Sequence, residues 1–224
     1  MQKYIFAANK TIANYIMFKI ESGNIKNIIF DLGGVLLNID YNLTVKAFND
    51  LGITDFDQIF SQAKQDLLFD NYECGKINSE EFIKEITKRC NNSIDSESIK
   101  SAWNALLLDL PIERLQLLED LKKRFRIFLL SNTNDIHRVA YSNYFEKTFG
   151  FSDLSLYFEK QYLSFEIGMR KPNKEIFNFV LSENNLIPSE TVFIDDSIQH
   201  VQGASEVGIK AILLAKDKTI LDLF

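Results

Sequence analysis

The chain has 224 residues, a net charge of −6 and 46% hydrophobic residues, enough for one substantial core with an inserted subdomain. The acidic balance, with both signs mixed along the chain, argues against nucleic acid as the main partner, and no apolar run approaches the roughly 18 residues of a membrane span. Cys74 and Cys90 are the only cysteines and His137 and His200 the only histidines, which excludes a disulfide framework or a Cys- or His-rich metal site and suggests a reducing, cytoplasmic compartment.

Residues 1–26 lack a secretory pattern, because the apolar run from Tyr4 to Ala8 is short and is broken by Asn9 and Lys10. They read as an N-terminal extension, either a short helix packed on the core or an upstream segment with Met17 as the natural start. The chain then presents Asn27-Ile28-Ile29-Phe30-Asp31-Leu32-Gly33-Gly34. Ile28, Ile29 and Phe30 form a short buried strand of the parallel-sheet kind. Asp31 follows at the strand's carboxyl end, the edge where open α/β sheets bind ligands. A carboxylate there is a metal ligand, a nucleophile or a turn-forming cap.

From about Leu43 to Leu110 the pattern is helical, with Ser79–Lys88 and Ile99–Leu108 as two of the helices. Asn78 with Glu81 three residues on forms a capping box for the first; Ser79 is the weaker cap, since Phe82 stands three residues after it. The segment is too long for a simple crossover and reads as an all-helical cap, residues 43–110. Phe69–Lys76 reads as a loop, with a sugar-contacting role and a surface turn around a buried aromatic weighed evenly. Trp103, at helical spacing with Leu106 and Leu107, reads as cap core. Cys74 is a small cap residue rather than a nucleophile.

Pro111 marks the return to the core. Arg126–Ser131, Gln161–Phe165, Thr191–Asp196 and Ala211–Leu214 are strand candidates, and Ile112–Lys123, Lys174–Asn184 and Ser197–Val207 are helical. This alternation predicts an α/β fold, a Rossmann-like doubly wound parallel sheet built from residues 27–42 and 111–224. Three strands end in Asp31, in Ser131-Asn132 and in Asp195-Asp196, and Gly168-Met169-Arg170-Lys171-Pro172 delivers a lysine before a helix. Singly, each has a plain structural role: an Asx-turn, a helix cap, a first-turn acid, a solvated lysine. Gathered at one sheet edge, they favour an active site.

In these four regions, taken in order, the chain resembles the haloacid dehalogenase-like (HAD) superfamily. Phe-Asp-Leu-Gly, Leu-Ser-Asn-Thr-Asn, Gly-Met-Arg-Lys-Pro and Thr-Val-Phe-Ile-Asp-Asp are similar to the bacterial α-D-glucose-1-phosphate phosphatase subgroup. The resemblance implies a phosphatase acting on a small phosphorylated metabolite such as a sugar 1-phosphate. Asp31 would attack phosphorus and become an aspartyl phosphate. Asp31, the Gly33 carbonyl, Asp195 and Asp196 would hold Mg²⁺, with Asp196 favoured as a direct ligand. Ser131 and the Asn132 backbone or side chain would bind the phosphoryl oxygens, and Lys171 would balance charge. Gly33 departs from the pattern, since many such phosphatases carry an acid there. Asp40 or His137 could replace it, or the leaving group could need little help, as an anomeric hydroxyl would. A metal-free haloacid dehalogenase and a non-catalytic phosphate-binding domain are the competing readings. The resemblance leaves a small-molecule partner, without nucleic acid or membrane, and a monomer or weak dimer.

Overall fold

The structure is a computed structural model that describes residues 24–53, 56, 67–89 and 94–224; residues 1–23 and Cys90 lie outside them. Five strands form one parallel sheet: β1 (Asn27–Phe30), β2 (Arg126–Ser131), β3 (Lys160–Leu163), β4 (Thr191–Asp195) and β5 (Lys210–Leu213), in the order β3-β2-β1-β4-β5. β1 is central and wholly buried, in keeping with its continuous apolar reading. Its one polar residue, Asn27, donates from Nδ2 to Thr191 Oγ1 at 3.1 Å. The strand order reverses beside β1, so Asp31 stands at the switch point where ligands of such sheets bind.

Between β1 and β2 come α1 (Tyr41–Asp50), α2 (Leu67–Glu73), α3 (Ser79–Arg89), α4 (Ser96–Asn104) and α5 (Ile112–Leu121); then α6 (Asp135–Phe149), α7 (Ser164–Ile167), α8 (Lys174–Glu183) and α9 (Ile198–Ser205). One sheet face packs Phe30, Leu118, Leu129 and Ile194, and the other Ile29, Phe128, Phe177 and Phe193. The capping box at α3 forms as read: Asn78 Oδ1 accepts from the Glu81 amide and Glu81 Oε2 from the Asn78 amide, both at 2.9 Å.

Helices α1–α4 share a separate aromatic core of Phe48, Phe56, Phe69, Tyr72, Phe82 and Trp103. Phe69 stacks on Trp103 with centroids 5.4 Å apart, and Tyr72 on Phe82 at 4.3 Å. This cluster is continuous with the core at Ile136, on α6. The two connections to the α/β body run side by side. Ile39 pairs antiparallel with Leu107, and hydrogen bonds join Asn38 to Leu108 and Asp109 and Asp40 to Leu106.

Several elements differ from the sequence reading. Phe69–Lys76 is not a loop: Phe69 to Glu73 belong to α2, and the turn begins only at Cys74. A helix of seven residues is too short for its period to stand out. Gln161–Phe165 is strand only through Leu163, since Ser164 opens α7. The helix expected at Ile99–Leu108 begins at Ser96, where Asp95 caps it, and ends at Asn104, because Leu106 and Leu107 enter the paired connection. Helix α6 was not anticipated, although Asn134 caps it, His137, Tyr141 and Phe145 form a buried stripe four residues apart, and Gly150 ends it at φ 80°.

Candidate active site

The apolar strands carry their polar ends to one edge. Asp31 continues β1, and its amide bonds to the Ile194 carbonyl at 2.9 Å. A tight turn follows, in which the Leu36 and Leu37 amides both reach the Leu32 carbonyl. Gly34 occupies the left-handed region at φ 76°, and a Cβ there would stand 2.2 Å from Asp196 Oδ2. Glycine is therefore needed twice, for the turn and for the approach of Asp196.

Lys171 is fully buried, and its Nζ donates to Asp31 Oδ1 and Asp195 Oδ2, both at 2.7 Å. Asp195 also accepts from the Ser197 amide at 2.8 Å, and its carboxylate lies 3.0 Å from His200 Nδ1. Asp31, Asp195 and Asp196 each offer an oxygen within 4.8 Å of the others. Asp31, Gly33, Ser131, Asn132, Lys171 and Asp196 line one cavity beneath the cap. Asp31, Gly33, Ser131, Asn132, Lys171 and Asp196 therefore lie at this one location, with Asp195 just behind the wall.

The electrostatics are those of a crowded acidic site. Burial pushes the Asp31 carboxyl well above the usual carboxylate range; Lys171 opposes this, and Asp195 and Asp196 add to it. Burial also acts against the charge on Asp195, but Lys171 and His200 overcome it and hold that carboxyl at about 2. Burial works against the Lys171 ammonium, and the two aspartates more than offset it. Three carboxylates around one ammonium leave a two-charge imbalance if all are ionised. An all-oxygen donor set with that imbalance fits a hard divalent cation. The left-handed Gly34 leaves the space Asp196 needs to join the set.

The Asn132 side chain is engaged with the Lys171 backbone, which commits part of its hydrogen-bonding capacity. Its Nδ2 donates to the Lys171 carbonyl and its Oδ1 accepts from the Lys171 amide, both at 2.9 Å. It holds the lysine loop in place, and its backbone and second amide hydrogen remain to meet a ligand. Ser164 does the same for the loop after β2, accepting from the Thr133 amide and donating to the Thr133 carbonyl.

Neither replacement acid is well placed. Asp40 caps α1 by accepting from the Asn42 amide and side chain, and it is not part of the cavity wall. His137 does line the cavity. Its Nδ1 lies 2.8 Å from Asn104 Oδ1 and its ring is stacked on Trp103 at 4.9 Å. Burial pulls its pKa down to about 3, so the ring is neutral at physiological pH. A Cβ on Gly33 would meet Ile39 Cδ1 at 3.1 Å, so Ile39 fills the room that a side chain at position 33 would use.

The sequence reading missed Tyr41, Arg170 and His200, which also line the cavity, as does Glu73 from the stretch weighed as a sugar contact. Burial, with Asp196, Glu73 and Asp31 nearby, keeps the proton on the Tyr41 hydroxyl well beyond the ordinary range. The aliphatic part of the wall is Leu32, Leu37, Ile39, Leu106 and Leu107.

The fold agrees with what comparison with known proteins finds. Residues 25–208 match the haloacid dehalogenase-like hydrolases. The chain is 35% identical over 187 residues to a D-ribitol-5-phosphate phosphatase of Bacteroides thetaiotaomicron, covering 83% of this chain and 90% of that protein. An aspartate-to-alanine variant of a HAD-family enzyme from the same organism, solved with magnesium and inorganic phosphate, superposes with a TM-score of 0.78 at 36% identity, over 87% of this chain and 96% of that one. A structure described as a predicted HAD-like hydrolase from Porphyromonas gingivalis gives a TM-score of 0.78 at 28% identity, over 88% and 94%. The chain belongs to the haloacid dehalogenase-like hydrolases.

Proposed function

We propose that the protein is a Mg²⁺-dependent phosphatase that hydrolyses a small, hydroxyl-rich monophosphate through an aspartyl phosphate on Asp31. The observation that carries this reading is the buried Lys171 ammonium shared by Asp31 and Asp195, with Asp196 in the same cluster. The relative named as a D-ribitol-5-phosphate phosphatase and the structure solved with magnesium and phosphate support it.

Asp31, Asp195, Asp196 and the Gly33 carbonyl would hold the magnesium. When bound, the metal screens the negative charge that a phosphate dianion meets at this edge. Asp31 is the nucleophile, and attack by its carboxylate splits one displacement into two steps. Lys171 balances the charge of Asp31 and of the transferring oxygens. Ser131 and the Asn132 amide bind those oxygens, while the Asn132 side chain fixes the lysine loop. The cap wall keeps bulk water from the reacting centre. A metal-free dehalogenase has no use for the Asp195-Asp196 pair, and a phosphate-binding domain has no need of a lysine-paired nucleophile.

The leaving group is the finer question. With Gly33 lacking a side chain, Asp40 committed to a helix cap and His137 neutral, an alcohol that departs without strong protonation is favoured. A sugar 1-phosphate such as glucose 1-phosphate meets that condition. The relative named for ribitol 5-phosphate favours a sugar-alcohol phosphate instead. A phosphate-release screen with Mg²⁺ over hexose 1-phosphates, hexose 6-phosphates and pentitol 5-phosphates separates the two. Preference for 1-phosphates supports the leaving-group argument, and preference for pentitol 5-phosphates over both hexose series replaces it. Turnover of none of them, in a folded and metal-loaded protein, defeats the phosphatase reading.

A further inference from the structure

The cap meets the α/β body on two sides that differ in kind. Along α6 the contact is mostly buried and holds one carboxylate, Asp135, which accepts from Ser79 Oγ at 2.9 Å at its exposed end. Trp103 Nε1 donates to Asn134 Oδ1 at 3.3 Å, the Ile136 amide donates to the Tyr72 hydroxyl at 3.1 Å, Asn104 meets His137, and Ile136 itself enters the cap's aromatic cluster. On the other side the contact is ionic. Arg170, one residue before Lys171, reaches up to the end of α2. Its Nη1 lies 2.8 Å from Asp70 Oδ1, its Nη2 2.8 Å from Glu73 Oε2, and its Nε donates to Glu73 Oε2 at 3.1 Å. Arg170 and Glu73 both line the substrate cavity. Just beyond, Gly75 sits so tightly on α7 that a Cβ would stand 2.2 Å from the Phe165 carbonyl oxygen.

We propose that Arg170, Asp70 and Glu73 form the releasable clasp of the cap, and that Arg170 is a positioning residue that ties the Lys171 loop to cap closure. The α6 side stays joined while substrate enters and product leaves beside the clasp. The physical ground is the difference in what each side loses on opening. Parting the α6 side exposes stacked aromatics and leaves buried polar groups without partners. Parting the clasp returns three charged groups to water, where each is well solvated. Because Arg170 is covalently next to Lys171, closing the clasp also fixes the backbone that Asn132 holds from below. The inference rests on the phosphatase reading only for what passes through the opening.

Cys74 provides a reporter, since it follows Glu73 directly and is half-buried, with its thiol pKa raised by burial. In full-length protein carrying Cys90→Ser, Cys74 is the sole thiol, and its alkylation by iodoacetamide reads opening without any turnover. Glu73→Gln and Arg170→Gln are each expected to speed labelling about tenfold, and Ser79→Ala, on the α6 side, to leave it within about threefold. Arg170→Gln is the sharper case: it removes a positive charge that favours the thiolate, so faster labelling there comes from opening and not from thiol acidity. The same two variants are expected to raise KM about tenfold with kcat changed by less than about threefold, and the reversed pair Glu73→Arg with Arg170→Glu to restore both readouts. Unchanged labelling in both single variants, or equal acceleration by Ser79→Ala, overturns the clasp. Absence of turnover in the unmodified protein with Mg²⁺ overturns the phosphatase reading instead and leaves the labelling result standing.

Discussion

The sheet edge and the cap are organised on opposite principles. At the edge, three aspartates and a lysine are gathered in a small, largely buried space, an arrangement that costs folding free energy and that the proposed chemistry would use. The cap is built on stacked rings around Trp103, with ion pairs to the body from Asp70 and Glu73 to Arg170. The first region carries an excess of carboxylates over cations, and the second packs around its own aromatic cluster. Variants at the edge should therefore disturb chemistry or metal response, and variants in the cap should disturb stability or access.

The largest expected effect is on chemistry. Asp31→Asn should lower kcat by on the order of 10⁴-fold or more while leaving the fold intact. Because it removes one of three crowded carboxylates, its urea midpoint without Mg²⁺ should equal or exceed that of the unmodified protein. A drop in that midpoint would mean that the edge is a structural ion-pair network.

Lys171→Met tests the same region from the other side. It leaves Asp31 and Asp195 facing each other without their shared cation, and should cost about 3–5 kcal/mol in urea unfolding at pH 7. Added Mg²⁺ should recover part of that loss. Loss of less than about 1 kcal/mol would contradict the role of the ion pairs.

In the cap, Trp103→Ala should cost about 3–5 kcal/mol, since it removes the ring on which Phe69 and His137 stack. KM should rise with it, because the α6 side of the cap is loosened.

His137 supplies a pH test. Folded, it binds a proton only below about pH 3, against an ordinary value of 6.5. Between these values the unfolded chain holds a proton that the native ring does not, so stability falls as pH drops through this window. The contribution amounts to roughly 5 kcal/mol across the full window. His137→Gln should flatten the fall in urea midpoint between pH 6.5 and 3. An unchanged slope would show that the ring is not buried in its neutral form.

The division between what was and was not legible in the sequence follows the distance over which each feature is encoded. The sheet and its polar edge are local: an apolar run of three or four residues, then Asp31, Ser131 or Asp195. The order of the motifs places these ends together without any knowledge of contacts. The clasp is not local, since Arg170 and Glu73 are 97 residues apart, and nothing at either position announces the other. The same holds for the Asn132 side chain, whose engagement with the Lys171 backbone spans 39 residues, and for Ile39 filling the space over Gly33. Tyr41 and His200 were passed over because each sits in an ordinary helical stretch, and only the fold turns them toward the cavity. Helix α6 went unread although its signals, Asn134, the buried stripe and Gly150, are local.

The central claim is that Asp31 carries the phosphoryl group. The most direct test is to quench a steady-state reaction with borohydride, which reduces an acyl phosphate to an alcohol, and to map position 31 by peptide mass spectrometry. The account predicts homoserine at position 31, formed only when both Mg²⁺ and a turned-over phosphate ester are present. Sustained phosphate release with an unaltered aspartate at that position would contradict it.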